Sequence, residues 1–307
     1  MENPKISVVI PAKNEEGRID ACLKAVFSQN LVPYEVIVVD GGSNDKTTEK
    51  AKVFPVTIVR ETYSTVGGAR QTGIENSSGD YVAFTDADCR PKKQWLEKLF
   101  QGFEEGVVAV GGSIQQISTG SFEESTAYIA DTFLGSGNSV QGRNFRKKRE
   151  VRSISGCNSI YRKDALIEAG GFNIKLSVSE DTELNSRIRK IGKIFFAPKA
   201  VVFHDLSIGP IDFAKRNFTF GRWRARLRLF DLQCIPPIAL LILIPFSFFS
   251  FWILIGVFCL YLLTVFGMGL KGALSNNRKS MIFFVPIAYL IEHLSYSTGF
   301  WIGLLKK

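Results

Sequence analysis

The chain has 307 residues, 46% of them hydrophobic, and a formal net charge of +9. That is enough for one large domain or two modest ones with a substantial core. The five cysteines, Cys22, Cys89, Cys157, Cys234 and Cys259, are odd in number and contain no C-x-x-C pair, so their spacing suggests neither a disulfide framework nor a zinc site. Reduced thiols fit a cytosolic face.

The N-terminal run "ISVVIPA" gives way at once to "KNEEGR", without the extended apolar core and small-residue cleavage site of a secretory signal. The first 230 residues are therefore expected on the cytoplasmic side. Short β-branched runs then alternate with segments of helical character. "KISVVI", "YEVIVVD", "VTIVR", "YVAFTD" and "VVAVGGSI" read as strands, each nearly continuous in apolar residues and so covered on both faces. Between them "EEGRIDACLKAVFSQ", "NDKTTEKAKVF", "TVGGARQTGIENS" and "PKKQWLEKLFQGF" read as helices, the last with Pro91 near its start. This alternation predicts an α/β fold with a mostly parallel sheet, in which ligands bind beyond the carboxyl ends of the strands. Polar residues cluster there, in "PAKNEE", "DGGSND" and "DADC".

Residues 118–150 read as a helix followed by a mobile loop able to close over a substrate. "SISGCNSIYRKDALIEAGGF" predicts a strand or turn and a short helix ended by Gly170 and Gly171. In "SEDTELNSRIRKIG", Ser179 is expected to cap a helix beginning at Glu180 and Asp181. "KIFFAPKAVVFHDL" reads as two short extended pieces.

Charge is uneven. "RNFRKKREVR" and "KRNFTFGRWRARLR" carry six basic residues each. The first reads equally well as a solvated face. The second precedes an apolar region, and Phe213, Phe220, Trp223, Leu227 and Phe230 recur in it at helical spacing, the pattern of a helix lying in the headgroup layer. Residues 235–270 contain no titratable side chain, and 281–305 hold only Glu292 and His293. A bilayer span needs roughly 20 apolar residues, so three spans are expected, at 233–251, 252–270 and 281–305. "KGALSNNRKS" would return to the cytoplasm with Lys271, Arg278 and Lys279, leaving Lys306 and Lys307 on the far side. Ionisable Glu292 and His293 inside a span point to a functional role.

Two aspartates at i and i+2 after an apolar strand, Asp86 and Asp88, can face one ligand, and their hard oxygens suit Mg²⁺ or Mn²⁺ completed by phosphate. The ordered set "SVVIPAKNEE", "VIVVDGGSNDKT", "GGARQTGI", "YVAFTDADC", "GCNSIYRKDALIEAGGF" and "SEDTELNSRI" resembles the family 2 glycosyltransferases, which have the GT-A fold. The likeness runs over about residues 5–225 and points to membrane-anchored members that act on polyprenyl or dolichyl phosphates or on lipid-linked glycans. It implies inverting transfer of a sugar from a UDP- or GDP-sugar to a membrane lipid carrier or lipid-linked glycan at the cytoplasmic leaflet.

The resemblance further implies residue roles. Pro11, Ala12, Asn14, Glu15, Asp40, Ser43, Arg70 and Asp86 would bind the nucleotide-sugar. Asp88, with Asp86 and His204, would hold the divalent cation. Asp181 would be the catalytic base, and Glu180, Gly156, Cys157, Asn158, Arg222 and Trp223 would lie on the acceptor side. Two departures stand out: Thr219 where a glutamine is usual before the Arg-Trp element, and Gly41 where many relatives carry a second aspartate.

The implied organisation is a GT-A catalytic domain over 1–210, a basic interfacial helix over 211–232 and a transmembrane region over 233–307, an integral protein of the cell membrane with no nucleic-acid partner. Single sugar additions are expected, since a many-span channel region is not seen. A nucleotidyltransferase of similar core fits less well, because "PAKNEE" carries two acids where a triphosphate would need a Gly-rich basic loop. A catalytically inactive nucleotide-binding scaffold is disfavoured by intact Asp86, Asp88 and Asp181.

Overall fold

The computed structural model describes residues 3–118, 120–137, 139–140, 142–205, 208–246 and 251–305. In chain order the elements are β1 (Ile6–Ala12), α1 (Ile19–Phe27), β2 (Glu35–Asp40), α2 (Thr47–Ala51), β3 (Thr57–Arg60), α3 (Val66–Glu75), β4 (Tyr81–Phe84), β5 (Cys89–Pro91), α4 (Trp95–Phe100), β6 (Val107–Ile117), α5 (Ser121–Ala130) and α6 (Phe133–Ser136). They continue with β7 (Arg149–Glu150), β8 (Ser159–Arg162), α7 (Lys163–Glu168), α8 (Glu180–Ile188), β9 (Lys193–Asp205), α9 (Pro210–Arg226), α10 (Ile235–Phe246), α11 (Phe251–Asn276) and α12 (Met281–Leu305).

The chain divides into two compact units. The first comprises residues 1–116 and 144–205, the second 117–143 and 206–307. The first unit is built on a nine-stranded sheet in the order β3-β2-β1-β4-β8-β6-β9-β5, with β7 pairing β9. β1 pairs parallel with β2 and β4, and β2 with β3, while β8 runs antiparallel to both β4 and β6. The five strands expected from the alternation therefore point the same way, with β8 inserted against them. Val8, Val9, Ile10, Ile37, Val38, Val82, Ala83 and Phe84 are fully buried, as continuous apolar strands between helix layers should be. Gly73 lets α3 lie directly on β1: a Cβ there would sit 2.2 Å from Val9 Cγ1.

Register places the site. Ala12 of β1 is level with Asp40 of β2, and Val9 is level with Phe84 of β4. β1, β2 and β4 thus end along one edge, where "PAKNEE", "DGGSND" and "DADC" emerge.

Several expectations need correction. Pro91 does not open a helix; it ends β5, which pairs with Val202–His204 of β9, and α4 begins only at Trp95. β5 is the last strand of the sheet order, a place where a residue lacking an N–H is tolerated. Residues 193–205 form one strand through Pro198 because β7 and β5 pair with its two halves. Ser179 makes no side-chain cap; its φ of 62° is left-handed, not the extended backbone that aims an N-cap oxygen at the helix amides. The basic stretch after residue 143 is tied down: Asn144 brackets the backbone of Ile114 (3.2 and 3.1 Å), and Arg149–Glu150 pairs with β9. Asn138 and Gln141 of the expected mobile loop lie outside the described residues.

The second unit gathers α5, α6 and α9–α12. Residues 117–143 join it, rather than the expected catalytic domain over 1–210, because Phe122 and Ile129 pack with Phe213, Val265, Met281, Val285 and Tyr289. The helix expected to lie in the headgroup layer is α9, and one of its faces is seated on α12. A Cβ on Gly221 would sit 2.1 Å from the Tyr296 carbonyl oxygen, and one on Gly299 2.0 Å from that of Phe218. Leu227 and Phe230 lie beyond the end of the helix.

Among the described residues α11 is the one helix long and apolar enough to cross a membrane, with a mean hydropathy of 2.4. It runs on to Asn276, so "KGALSN", the larger part of the expected loop "KGALSNNRKS", is helical. α10 has 12 residues, about 18 Å of helix against a hydrocarbon core of about 30 Å. Residues 247–250, part of the expected 233–251 span, and Lys306 and Lys307 lie outside the described residues.

Candidate active site

The first corner of the sheet edge joins the loops after β1 and β2. Asn14 takes a left-handed φ of 56°, which turns the chain toward the β2 loop. The Asn14 amide donates to Ser43 Oγ (3.0 Å), the Asn44 amide donates to Asn14 Oδ1 (2.9 Å), and the Ser43 amide donates to Asp40 Oδ1 (3.1 Å). The Glu15 amide donates to Thr47 Oγ1 at 2.7 Å, and the Glu15 carboxylate is held by Arg18 at 2.6 and 3.1 Å. Ala12 is buried beneath this corner and Pro11 is half-buried in β1. Asn14, Glu15, Asp40 and Ser43 are thus knitted into one rim by short hydrogen bonds.

The second corner follows β4. Pairing of β5 with β9 puts Cys89 opposite His204, and the Asp205 amide donates to the Asp88 carbonyl (3.0 Å). These backbone bonds bring His204 Nε2 to 3.2 Å from Asp88 Oδ2, with both side chains about one-fifth exposed, at 18% and 22%. Burial opposes the imidazolium, but the hydrogen bond to Asp88, with the negative charge of Cys157, Asp88 and Asp86, outweighs it and pushes His204 up to about 9. Burial likewise opposes ionisation of Asp88, yet the His204 bond and charge hold its carboxyl below the usual range. The Asp88 carboxylate, with that of Asp86 nearby, offers oxygen ligands that suit Mn²⁺ or Mg²⁺, and the imidazole beside it is a softer donor.

Arg70, on α3, ties this corner to the start of α8. Its guanidinium is 3% exposed; Nη2 donates to Asp86 Oδ1 at 2.7 Å and Nη1 donates to Glu180 Oε1. Burial works against its charge, but Asp86, Glu180 and Asp181 more than restore it, so Arg70 stays cationic. Burial raises Glu180 from 4.5 to about 7: Arg70 pulls the other way, but its charge is shared with Asp86, and Asp181 adds like charge. A Cβ on Gly156 would meet Arg70 Cζ at 2.6 Å, so only glycine fits against the guanidinium.

Asp181 stands one residue on. Its Oδ2 accepts from the Gly156 amide (3.1 Å) and its Oδ1 from the Thr182 amide (2.6 Å). Asn185, fully buried, fixes α8 by donating to the Ile154 carbonyl (2.8 Å) and accepting from Tyr161 Oη (3.0 Å). The carboxylate of Asp181 is therefore held by backbone donors on a pinned helix.

Other expected acceptor-side residues lie differently. Asn158 is fully buried, accepting from Trp95 Nε1 (2.8 Å) and donating to the Ser113 and Ala200 carbonyls (2.8 and 3.0 Å). Its amide is consumed in holding strands together. Glu180 faces inward onto Arg70, and Cys157 is buried beside Cys89 and His204. Arg222 and Trp223 belong to α9 in the second unit, where Arg222 covers the Phe218 ring and Arg226 the Trp223 ring. Sequence reasoning did not find the thiol pair, because Cys89 and Cys157 meet only through the antiparallel half of the sheet.

A sheet of this topology, ending in D-x-D beside a helix that opens on a carboxylate, is the arrangement of the GT-A fold. The chain belongs to glycosyl transferase family 2, whose family model matches residues 7–170. It is similar to glycosyltransferase AglE of Haloferax volcanii, 31% identical over 79% of this chain and 81% of that protein. It is also similar to a Methanococcus voltae dolichyl N-acetyl-alpha-D-glucosaminyl phosphate 3-beta-D-2,3-diacetamido-2,3-dideoxy-beta-D-glucuronosyltransferase, 24% identical over 98% of this chain and 97% of the other. Among solved structures, the mannosyltransferase PcManGT of Pyrobaculum calidifontis, in complex with GDP-Man and Mn²⁺, superposes with a TM-score of 0.53 at 19% identity, over 72% of this chain and 63% of that one. S. aureus TarS in complex with UDP-GlcNAc gives 0.54 at 20% identity, over 74% and 67%.

Proposed function

We propose that this glycosyltransferase moves a sugar, with inversion, from a UDP- or GDP-sugar to a lipid-linked glycan or lipid carrier at the cytoplasmic leaflet. The observation that carries the reading is the Arg70 bridge: one buried guanidinium joins Asp86 of the D-x-D element to Glu180, the neighbour of Asp181, so metal candidate and base candidate share one network. Nucleotide-sugars in the neighbouring complexes support the donor class, and the name of the Methanococcus relative, which specifies a dolichyl-phosphate-linked sugar, supports the acceptor class.

The nucleotide would lie against Pro11, Ala12, Asn14, Glu15, Asp40 and Ser43, with its diphosphate at the second corner. Asp88 and His204, with Asp86 alongside, would hold Mn²⁺ or Mg²⁺, which supplies charge to offset that of the departing diphosphate. Asp181 takes the proton of the acceptor hydroxyl on a carboxylate oxygen as that hydroxyl's oxygen bonds to the anomeric carbon, and the electron pair of the broken C–O bond leaves with the diphosphate. The Gly156 and Thr182 amides keep the carboxylate oriented for this. An acceptor already ionised as a phosphate would leave Asp181 an orienting role. α11 would anchor the chain.

The test is a product assay: detergent-purified protein with UDP- and GDP-sugars and polyprenyl-linked acceptors, for wild type and Asp181→Asn. A single-sugar product of inverted anomeric configuration, absent with the variant, is expected. A product of retained configuration, or one made equally by the variant, would overturn the reading.

A further inference from the structure

The sulfur side of the His204 corner has no part in that chemistry. Cys89 is fully buried and Cys157 is 5% exposed. Their sulfurs and a His204 ring nitrogen all lie within 4.8 Å of one another. Backbone pairing holds two of the three, since Cys89 faces His204 across the β5–β9 ladder. The third, Cys157, arrives just ahead of β8, in the same turn as the Gly156 that packs on Arg70. Cys22, also buried, is committed elsewhere, donating to the Asp86 carbonyl at 3.4 Å.

A four-coordinate cation bonded at about 2.3 Å to sulfur and about 2.0–2.1 Å to imidazole nitrogen needs those atoms roughly 3.5–3.8 Å apart. The three groups therefore reach a common ion with side-chain shifts of about an ångström or less. A fourth ligand, an oxygen, is at hand: Asp88 Oδ1 is 3.6 Å from Cys89 Sγ. Thiolate and imidazole select Zn²⁺ over Mg²⁺ or Mn²⁺, which prefer oxygen. His204 and Asp88 are partly exposed, at 18% and 22%, whereas both sulfurs are buried.

We propose that Cys89, Cys157 and His204 form a soft-cation site that takes Zn²⁺ and, by claiming His204, competes with the hard divalent cation at Asp88. Binding releases to solvent every proton that the two sulfurs and the imidazole hold; no electron is transferred. The inhibitory consequence rests on the proposed donor-site reading, whereas the binding does not.

The test uses the reduced, detergent-purified full chain in a Cys259→Ser background, which removes the exposed thiol. Co²⁺ should give thiolate-to-cobalt charge-transfer absorption saturating at one ion per chain and abolished by Zn²⁺. Losing an outer partner alone weakens metal binding about 10–100-fold, so Cys89→Ser and Cys157→Ser should each weaken Zn²⁺ binding at least about 100-fold. Should those variants fail to fold, zinc X-ray absorption on the background protein still decides, with two sulfur neighbours at about 2.3 Å expected. No charge-transfer band, or only nitrogen and oxygen neighbours around zinc, would overturn the site. Thermal shift with UDP or GDP and Mn²⁺ on the same sample separates the two claims. A nucleotide shift undiminished by bound Zn²⁺ refutes the competition. A charge-transfer band without any nucleotide shift leaves the soft site standing and removes the donor site.

Discussion

The two corners of the sheet edge are built by opposite means. Around Asn14 and Ser43 the loops after β1 and β2 are joined by backbone and neutral side-chain hydrogen bonds near the surface, between segments about 30 residues apart, while the Asp40 carboxylate accepts within its own loop. Around Asp86, Asp88, Glu180 and His204 the structure assembles titratable groups from four segments, with Arg70 buried among them. Surface hydrogen bonds are worth little individually and adapt readily, while a buried charge network fails sharply when one partner is removed. The first corner is thus suited to cradling a ligand, and the second to fixing the positions of reacting groups.

The largest expected effect falls at the second corner. Asp181→Asn should reduce sugar transfer by about 10²–10⁴-fold while leaving nucleotide-induced stabilisation in place; a variant retaining most turnover would mean that the held carboxylate does no proton chemistry. Arg70→Leu strands two carboxylates, so chemical denaturation should show a loss of about 3–5 kcal/mol. A loss below about 1 kcal/mol, the range of exposed ion pairs, would show that the network is no more demanding than a surface one.

Glu180 sharpens the same contrast through pH. Burial raises its carboxyl from 4.5 to about 7 in the folded chain, so the unfolded state gives up the proton first. The stabilising contribution of the protonated form is complete below pH 4.5 and is lost as pH rises through about 7. Glu180→Gln, which cannot ionise, should therefore gain stability relative to wild type over that interval, by at most about 3 kcal/mol. A pH-independent difference between the two melting curves would contradict it. At the first corner Ser43→Ala removes the acceptor of the Asn14 amide and should cost only about 1 kcal/mol or less, with a correspondingly small fall in nucleotide affinity by calorimetry.

What the sequence disclosed follows the same division. β1–β4 and β6 were legible because each is a nearly continuous apolar run, and the places of Asn14, Asp40 and Ser43 in the chain because they stand at or just after the ends of such runs. β5 was not, since "CRP" has no strand character of its own and is extended only because Val202–His204 pairs with it. Ser179 misled because its residue type suits a cap while its backbone does not. Asn158 and Glu180 read as acceptor-facing because a motif gives position along the chain but not the direction of a side chain. In the second unit hydrophobicity marked the helices, but the seating of α9 on α12 depends on Gly221, Gly299 and Gly303, whose spacing only a packed neighbour makes meaningful.

In the proposed function the Asp88 corner holds a divalent cation that joins a nucleotide to this chain. The most direct measurement is thermal stability of the detergent-purified protein with UDP or GDP, each with Mn²⁺, Mg²⁺ or chelator, for wild type and Asp88→Ala. One nucleotide at about 100 times its dissociation constant should stabilise the wild type by about 2.7 kcal/mol, only with metal present, and should not stabilise the variant. Equal stabilisation with chelator, or in Asp88→Ala, would contradict the account.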